Sequence, residues 1–274
     1  PEKRAYQIAY KVADFLVKQN GKSVQRLRTN LVRTQPEITA LNLELLVVDA
    51  MRSYMRYWCD TFRFPDWSTK RIQETVSVTN ENLLLDAIAA GTGVIVALPH
   101  AGNWDHAGAY FCGKGVRLVT VAERLKPEKL FRKFLSYRQS MGMEVLPLDG
   151  RVLETLADRL RDGALVALVA DRDLSRSGID VDFFGAPARM PAGPALLAIR
   201  TQAPLITAFV SYTESGVHID FKLVILPSSG SEREVVQEIV QMTAQHFETG
   251  ISQHPQDWHM LQRIWTDGDF KERL

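Results

Sequence analysis

The chain has 274 residues, which suits one large domain or at most two and can bury a core without disulfide or metal support. Hydrophobic residues make up 46% and charged residues 24%, values that exclude wholesale disorder, a fibrous repeat and a coiled coil. The net charge of +1 excludes a generally basic nucleic-acid binder, and the two cysteines, Cys59 and Cys112, exclude a disulfide framework and predict a reducing compartment.

Positive charge is concentrated at the amino terminus. Residues 1–35 hold eight lysine and arginine side chains against Glu2 and Asp14, a local net charge of +6. Apolar residues recur among these charges at helical spacing: Ile8, Val12, Phe15 and Leu16. The pattern predicts a basic amphipathic helix that ends at Asn20-Gly21 and docks on an anionic membrane surface. The alternative is a surface helix that packs on its own domain and keeps its charged face in water.

A second helical region follows Pro36 and continues into an aromatic stretch, 51–64. Beyond residue 80, helical patterns alternate with short apolar runs. The predicted helices span 81–90, about 127–141, 152–161, 194–201 and 232–253. The predicted strands span 94–98, 116–121, 145–148, 164–170, 204–212 and 218–226. This alternation predicts an α/β fold with a largely parallel central sheet flanked by helices and preceded by amino-terminal amphipathic helices.

The chain is predicted to form a single domain over residues 1–274. Within it, residues 1–70 form the amino-terminal helical, membrane-docking part, and residues 80–265 form the catalytic core. No transmembrane span is predicted, because the longest uncharged stretch, 87–104, contains three glycines, a proline and a histidine and is interpreted as a helix end, a strand and a loop.

Polar side chains follow three of the predicted strands. His100 follows the first, Glu123 the second, and Asp171, Arg172 and Asp173 follow the third. Ligands of open α/β sheets bind outside the carboxyl ends of the strands, so these side chains are predicted to converge on one crevice. Asp171 and Asp173 have an alternative interpretation as turn or helix caps, and Glu123 has one as a solvated strand-end acid.

His100 and Asp105 form an H-x4-D pair. The two side chains can meet only if His100 lies in the loop and Asp105 lies in the first turn of the following helix. A carboxylate on one imidazole nitrogen fixes the tautomer and leaves the other nitrogen as a base. The spacing alone is a weak pattern, and the alternative is a loop histidine beside a first-turn acid, which the helix dipole favours.

Residues 99–105, PHAGNWD, resemble the H-x4-D/E block of the bacterial membrane-lipid acyltransferases related to the lipid A lauroyl and myristoyl transferases. The resemblance covers roughly residues 80–265 and continues through further blocks in the expected order: 123–127, Arg138 ahead of Gly142, 171–173, 182–188 and 254–258. Residues 170–175 resemble the mycobacterial branch of this family, which acts on phosphatidylinositol mannosides. One departure is that the lipid A enzymes usually carry an amino-terminal transmembrane anchor, where this chain has the basic amphipathic segment.

The resemblance implies a glycerolipid-acyltransferase-like fold and transfer of a palmitoyl chain from palmitoyl-CoA, a co-substrate, to a mannose hydroxyl of a phosphatidylinositol mannoside. It implies no further cofactor and no nucleic-acid partner. His100 is predicted to act as the base and Asp105 to orient it, without a covalent acyl-enzyme, because neither cysteine lies near His100 in the sequence and no G-x-S-x-G motif is present. The residues predicted to bind substrate are Glu123, Arg138, Asp171, Arg172 and Asp173.

The predicted location is peripheral, on the cytoplasmic face of the inner membrane. No metal site is predicted, since the histidines lack metal-ligand spacing. Arg138 has an alternative interpretation as part of a solvated basic helix face. Three other functions stay open: acylation of another membrane lipid such as a lysophospholipid or a lipid A precursor, acyl-CoA hydrolysis with water as the acceptor, and non-catalytic lipid carriage.

Overall fold

The computed structural model describes residues 2–122, 128–148 and 150–268. Its α-helices are α1 (Glu2–Gln19), α2 (Lys22–Thr34), α3 (Ala40–Arg63), α4 (Thr69–Glu74), α5 (Asn82–Ala89), α6 (Trp104–Gly113), α7 (Glu128–Ser140), α8 (Val152–Arg161), α9 (Gly193–Thr201) and α10 (Glu232–Gln253). Its strands are β1 (Val76–Thr79), β2 (Val94–Leu98), β3 (Leu118–Ala122), β4 (Glu144–Pro147), β5 (Leu165–Val169), β6 (Ile179–Phe183), β7 (Ala186–Met190), β8 (Leu205–Tyr212) and β9 (Val217–Leu223).

Seven strands form one sheet in the order β1-β9-β8-β2-β5-β3-β4, and β6 and β7 form a separate antiparallel hairpin. All neighbours in the large sheet are parallel except β8 and β9. Helices cover both faces, and two apolar clusters lie on the opposite sides of the sheet. The predicted α/β class with a largely parallel central sheet is therefore confirmed.

The central strand β2 positions the His100 loop. All five of its residues are buried, which explains why it appears in the sequence as an unbroken apolar run. Its neighbour β5 pairs with it in register, so that Leu98 lies opposite Val169. The segments that follow these two residues therefore leave the sheet side by side, and they bring His100 and Asp171 to the same edge.

The amino-terminal helices pack on one another and on the carboxyl-terminal segment. Their shared apolar cluster contains Ala13, Val24, Leu27, Leu31, Val47, Ala50 and Met51. Helix α1 crosses α3 in the opposite direction, since Asp14 pairs with Arg52 and Tyr6 with Asp60. Within the described residues, no helix is long and apolar enough to span a bilayer.

Most predicted elements are present, with small shifts of their ends. The strand predicted over 116–121 begins and ends slightly later, and the basic helix is described from Glu128. Four features were not predicted: helix α2, helix α4, edge strand β1 and the hairpin of β6 and β7. Helix α2 follows α1 after a break at Asn20-Gly21, where the predicted helix end is confirmed by the positive φ of 47° at Asn20.

Candidate active site

Backbone hydrogen bonds fix the loop that carries His100. The backbone N–H of His100 donates to the Asp171 carboxylate at 3.0 Å, and its carbonyl accepts from His259 at 2.7 Å. Gly102 donates to the carbonyl of Asp257 at 2.9 Å. Gly102 has a φ of 57°, and a Cβ at this position would collide with the backbone of Val210. The loop therefore requires glycine at this position.

Asp171 holds the His100 ring. The Nδ1 atom of His100 lies 2.6 Å from Oδ1 of Asp171, and the Trp258 indole N–H donates to Oδ2 at 3.0 Å. Burial of Asp171 opposes its ionisation, but the adjacent His100 imidazole and the donated hydrogen bonds keep its pKa below the usual value. With the Nδ1 proton donated to Asp171, Nε2 carries the lone pair that can accept a proton.

This geometry corrects the predicted role of Asp105. In the described part of the chain no hydrogen bond or ion pair joins Asp105 to His100. Asp105 lies in the first turn of α6, as predicted, but its carboxylate is turned toward α3 and α7. The carboxylate that is hydrogen-bonded to His100 is instead Asp171, which was predicted to bind substrate. The error arose because the H-x4-D spacing is local in sequence, whereas the real pair depends on the adjacency of β2 and β5.

Asp105 binds Arg138 and Tyr57. Nε of Arg138 lies 2.8 Å from Oδ1 of Asp105, and the Tyr57 hydroxyl donates to Oδ2 at 3.0 Å. Asp105 is buried, and its negative charge raises the pKa of Arg138 above the usual value. Burial, followed by the Asp105 charge, raises the pKa of Tyr57 well above its usual value, so this phenol stays a donor. Arg138 therefore stays protonated, and its charge is balanced by the Asp105 carboxylate.

The other predicted site residues have different surroundings. Arg172 is half-buried directly after Asp171. Asp173 accepts a hydrogen bond from the backbone N–H of Ser175 at 2.9 Å, and its own backbone donates to Arg189. This is the turn-capping arrangement that was the alternative interpretation of Asp173. Glu123 lies outside the described residues.

Several residues of the site were not predicted. Ser53 donates to Asp257 at 2.7 Å and lies 2.9 Å from Nε2 of His259. Burial lowers the pKa of His259 to about 3, so its ring is neutral, and its backbone N–H binds the His100 loop. The block over 254–258 was the available signal, but its sequence gives no contact partner. Among the described residues no cluster of His, Cys, Asp or Glu forms a metal-binding arrangement.

An apolar channel begins beside His100. The ring centroid of Trp104 lies 5.8 Å from that of His100, and Trp104, Asp105 and Arg138 line one end of a cavity of about 660 Å³, a volume that includes its open mouth. The cavity runs between α6 and one face of the sheet, and its other walls are almost entirely apolar. This lining suits a hydrocarbon chain.

A histidine–aspartate pair thus lies next to an apolar channel at one edge of a mainly parallel α/β sheet, and this combination is suited to chemistry on an acyl chain. The model of the bacterial lipid A biosynthesis acyltransferase family matches residues 1–267. The chain belongs to this family, which confirms the resemblance found in the sequence, and it is an O-acyltransferase.

Relatives with a more specific name share most of the chain. The phosphatidylinositol mannoside acyltransferase of Mycolicibacterium smegmatis is 42% identical over 244 residues, which cover 88% of this chain and 79% of the relative. Proteins of the same name from two strains of Mycobacterium tuberculosis are 41% identical over 246 residues, covering 88% of this chain and 77% of each relative.

Proposed function

We propose that this enzyme transfers a palmitoyl chain from palmitoyl-CoA to a mannose hydroxyl of a phosphatidylinositol mannoside. The observation that carries the proposal is the His100–Asp171 pair, whose His100 ring contacts Trp104 in the wall of the apolar channel. The acceptor follows from the name of relatives that are about 42% identical over most of the chain. The channel would hold the acyl chain, with the thioester carbonyl beside His100.

The reaction follows from the hydrogen bond between His100 and Asp171. Nε2 of His100 removes the proton of the acceptor hydroxyl as that oxygen attacks the thioester carbonyl carbon. The imidazolium that forms is stabilised by the Asp171 carboxylate. Collapse of the tetrahedral intermediate breaks the carbon–sulfur bond, and the imidazolium returns the proton to the departing CoA thiolate. Atoms and protons balance without a further reactant.

Arg138 is our proposed donor to the oxyanion of that intermediate. Its guanidinium lines the channel mouth and is oriented by the buried Asp105 carboxylate. A positive charge held in place before the reaction stabilises a developing oxyanion strongly, because no reorganisation is needed. Glu123, Arg172 and Asp173 remain proposed contacts of the acceptor or of CoA.

Direct transfer is favoured over a covalent acyl-cysteine. Burial raises the pKa of the Cys112 thiol to about 11, and burial together with the Asp60 charge raises the pKa of Cys59. The thiolate is the nucleophilic form, so both thiols are unreactive near neutral pH. Neither cysteine lines the channel.

The membrane-docking surface, as we propose it, is the exposed face of α1. Only the small residues Ala9 and Ala13 of this helix are buried, whereas Ile8 is 64% and Phe15 59% exposed. Val12 and Leu16 are exposed beside them. A helix that merely packed on its own domain would bury these large side chains instead.

Cations flank the docking surface. On a helical projection the exposed side chains of Lys3, Arg4, Lys11 and Lys18 lie along one border of the apolar stripe. An apolar stripe with a basic border is typical of helices that lie in the interface of an anionic membrane. We therefore propose a peripheral enzyme on the cytoplasmic face of the inner membrane, where acyl-CoA is available.

The test is a transfer assay with radiolabelled palmitoyl-CoA, with and without a phosphatidylinositol mannoside in anionic vesicles. We expect an acylated glycolipid only when the acceptor is present, and loss of about 10²–10⁴-fold in turnover for His100→Ala. Release of free palmitate at the same rate with and without acceptor would identify a thioesterase. Acylation of lysophospholipid in preference to the mannoside would replace the proposed acceptor.

A further inference from the structure

The walls of the apolar channel differ with depth. Helix α6 runs down the channel from its mouth, with Trp104 at the entrance, Gly108 about one turn below it and Phe111 about two turns below. On the sheet side, strand register places Leu98 and Val169 near the entrance and Leu165 further down. The lining residues of α6, β2 and β5 can therefore be assigned a level along the bound chain.

Small side chains line the middle of the channel. They are Ala107, Gly108 and Ala167. Gly108 has an ordinary helical conformation, so the backbone does not require glycine there. What matters is that it has no side chain. A Cβ added to Gly108 would lie 2.5 Å from the terminal methyl of Met143 and 3.4 Å from a methyl of Leu118, and both neighbours also line the channel.

Large apolar side chains lie at the end of the α6 wall. Phe111 and Phe221 both line the channel and pack on each other, with ring centroids 5.8 Å apart. Phe221 pairs with Ala208, which is level with Leu98, so the Phe221 ring reaches Phe111 from the side of β9. Phe111 and Leu84 are buried and form the wall about two turns below Trp104.

We infer that Gly108 and Phe111 set the length of the acyl chain that the enzyme selects. The inference rests on the proposed use of the channel for the acyl group of the donor. Gly108 leaves room for the end of Met143 and for Leu118 in the channel wall, so a larger side chain at this position pushes them into the path of the acyl chain. Phe111 forms the end that the terminal methyl group reaches. Each methylene that loses its burial lowers the preference for a donor by about fourfold.

Two opposite substitutions test this inference. Gly108→Leu fills the middle of the channel and should shift the preference toward dodecanoyl-CoA, by about 16-fold relative to palmitoyl-CoA if two methylenes lose their burial. Phe111→Leu opens the lower end and should shift the preference toward stearoyl-CoA. The milder Gly108→Ala, whose Cβ meets the flexible end of Met143, should shift it in the same direction as Gly108→Leu.

Matched controls change the same residue types outside the channel. Gly113 lies on the same helix, and a Cβ there would meet the end of the Gln73 side chain, also at 2.5 Å. Phe247 is buried on the other face of the sheet. Gly113→Leu and Phe247→Leu should keep the chain-length preference of the wild type, whatever they do to stability.

Preference is measured in two ways, by kcat/KM in the transfer assay and by calorimetric binding of the acyl-CoA series to proteins that also carry His100→Ala. Opposite shifts in the binding profiles of the two variants support the inference. If the protein binds acyl-CoA in this way but transfers no acyl group in the assay, only the proposed function is refuted. An unchanged binding profile in folded Gly108→Leu and Phe111→Leu proteins would overturn the inference. Equal shifts in the control variants would overturn it as well.

Discussion

Asp105 and Asp171 are both buried carboxylates next to the candidate site, but they differ in what they bind. Asp171 accepts from the backbone and ring of His100 and from Trp258, whereas Asp105 accepts from Arg138 and Tyr57. Three donors converge on Asp171, and an asparagine offers only one acceptor oxygen. We expect Asp171→Asn to favour the wrong His100 tautomer and to lower kcat by about 10³–10⁴-fold.

Asp105→Asn separates the two roles. It leaves the His100–Asp171 hydrogen bond intact but weakens the hold on Arg138, so kcat should fall by about 10²–10³-fold with the wild-type pH profile retained. Steady-state kinetics across pH, with circular dichroism as a check of folding, make the comparison. Near-normal turnover of Asp171→Asn, with a shifted pH profile for Asp105→Asn, would restore Asp105 as the partner of His100.

Among the helices, α1 has an unusual packing, because its apolar stripe is not the face that it buries. Its large apolar residues face solvent and its small ones face α3. Each cation near an anionic surface contributes about 1 kcal/mol, and salt weakens the attraction. We expect wild-type protein to float with anionic vesicles, and Phe15→Glu and Lys11→Glu/Lys18→Glu proteins to bind at least tenfold more weakly.

The control reverses two exposed arginines away from this helix. Arg161→Glu/Arg233→Glu makes the same change in net charge on α8 and α10 and should bind the vesicles like wild type. Binding of wild-type protein should also fall with added salt. Equal affinity for neutral and anionic vesicles, or equal losses in both double variants, would mean that another surface meets the membrane.

Helices α1 and α3 also meet at a buried carboxylate. Asp60 accepts from Tyr6 at 2.6 Å, and from Asn103 and Tyr212 at 3.3 Å each. Asn103 in turn caps α6 by accepting from the backbone of His106. The hydrogen bonds therefore link the docking helix to the loop that carries His100, although Asp60 touches no reacting atom.

Asp60→Asn tests this link. It replaces an acceptor with a donor, so we expect a loss of about 1–3 kcal/mol in the free energy of unfolding. Burial raises the pKa of Asp60 in the folded protein. The folded state therefore binds a proton more readily than the unfolded state. As pH falls from that raised pKa to about 3.9, the free energy of unfolding of wild type should rise relative to that of Asp60→Asn. Denaturant titrations at several pH values check this, and a stability difference that stays constant with pH would contradict it.

For the whole molecule, the elements could be predicted from sequence far better than their contacts. The apolar runs of β2 and β5 identify buried parallel strands, and the strand-end argument correctly brings His100 and Asp171 to one edge. The order of the strands leaves no local signal, so the choice between Asp105 and Asp171 could not be made. Helix α2 was missed because its apolar face, Val24, Leu27 and Leu31, is short and interrupted by charged residues.

Long-range polar contacts favour the predicted single domain that joins residues 1–70 to residues 80–265, and its unfolding provides the test. Asn30 of α2 is 2% exposed, and its side-chain amide donates to the carbonyls of Met260 and Gln262 at 2.7 and 2.9 Å. Its oxygen accepts from the Trp265 indole at 3.0 Å. An amino-terminal helix thus satisfies buried groups of the carboxyl-terminal segment, and the two parts should unfold together.

Scanning calorimetry should therefore show one transition for the intact chain, with equal van't Hoff and calorimetric enthalpies. Asn30→Ala leaves two carbonyls and one indole N–H without their partner, which should cost about 3 kcal/mol and lower the Tm of that single transition by about 6–12 °C. Exposed Asn42→Ala, in the same amino-terminal part, should change the Tm much less. Two separate transitions, with Asn30→Ala moving only the first, would show instead that the amino-terminal helices and the catalytic core are independent domains.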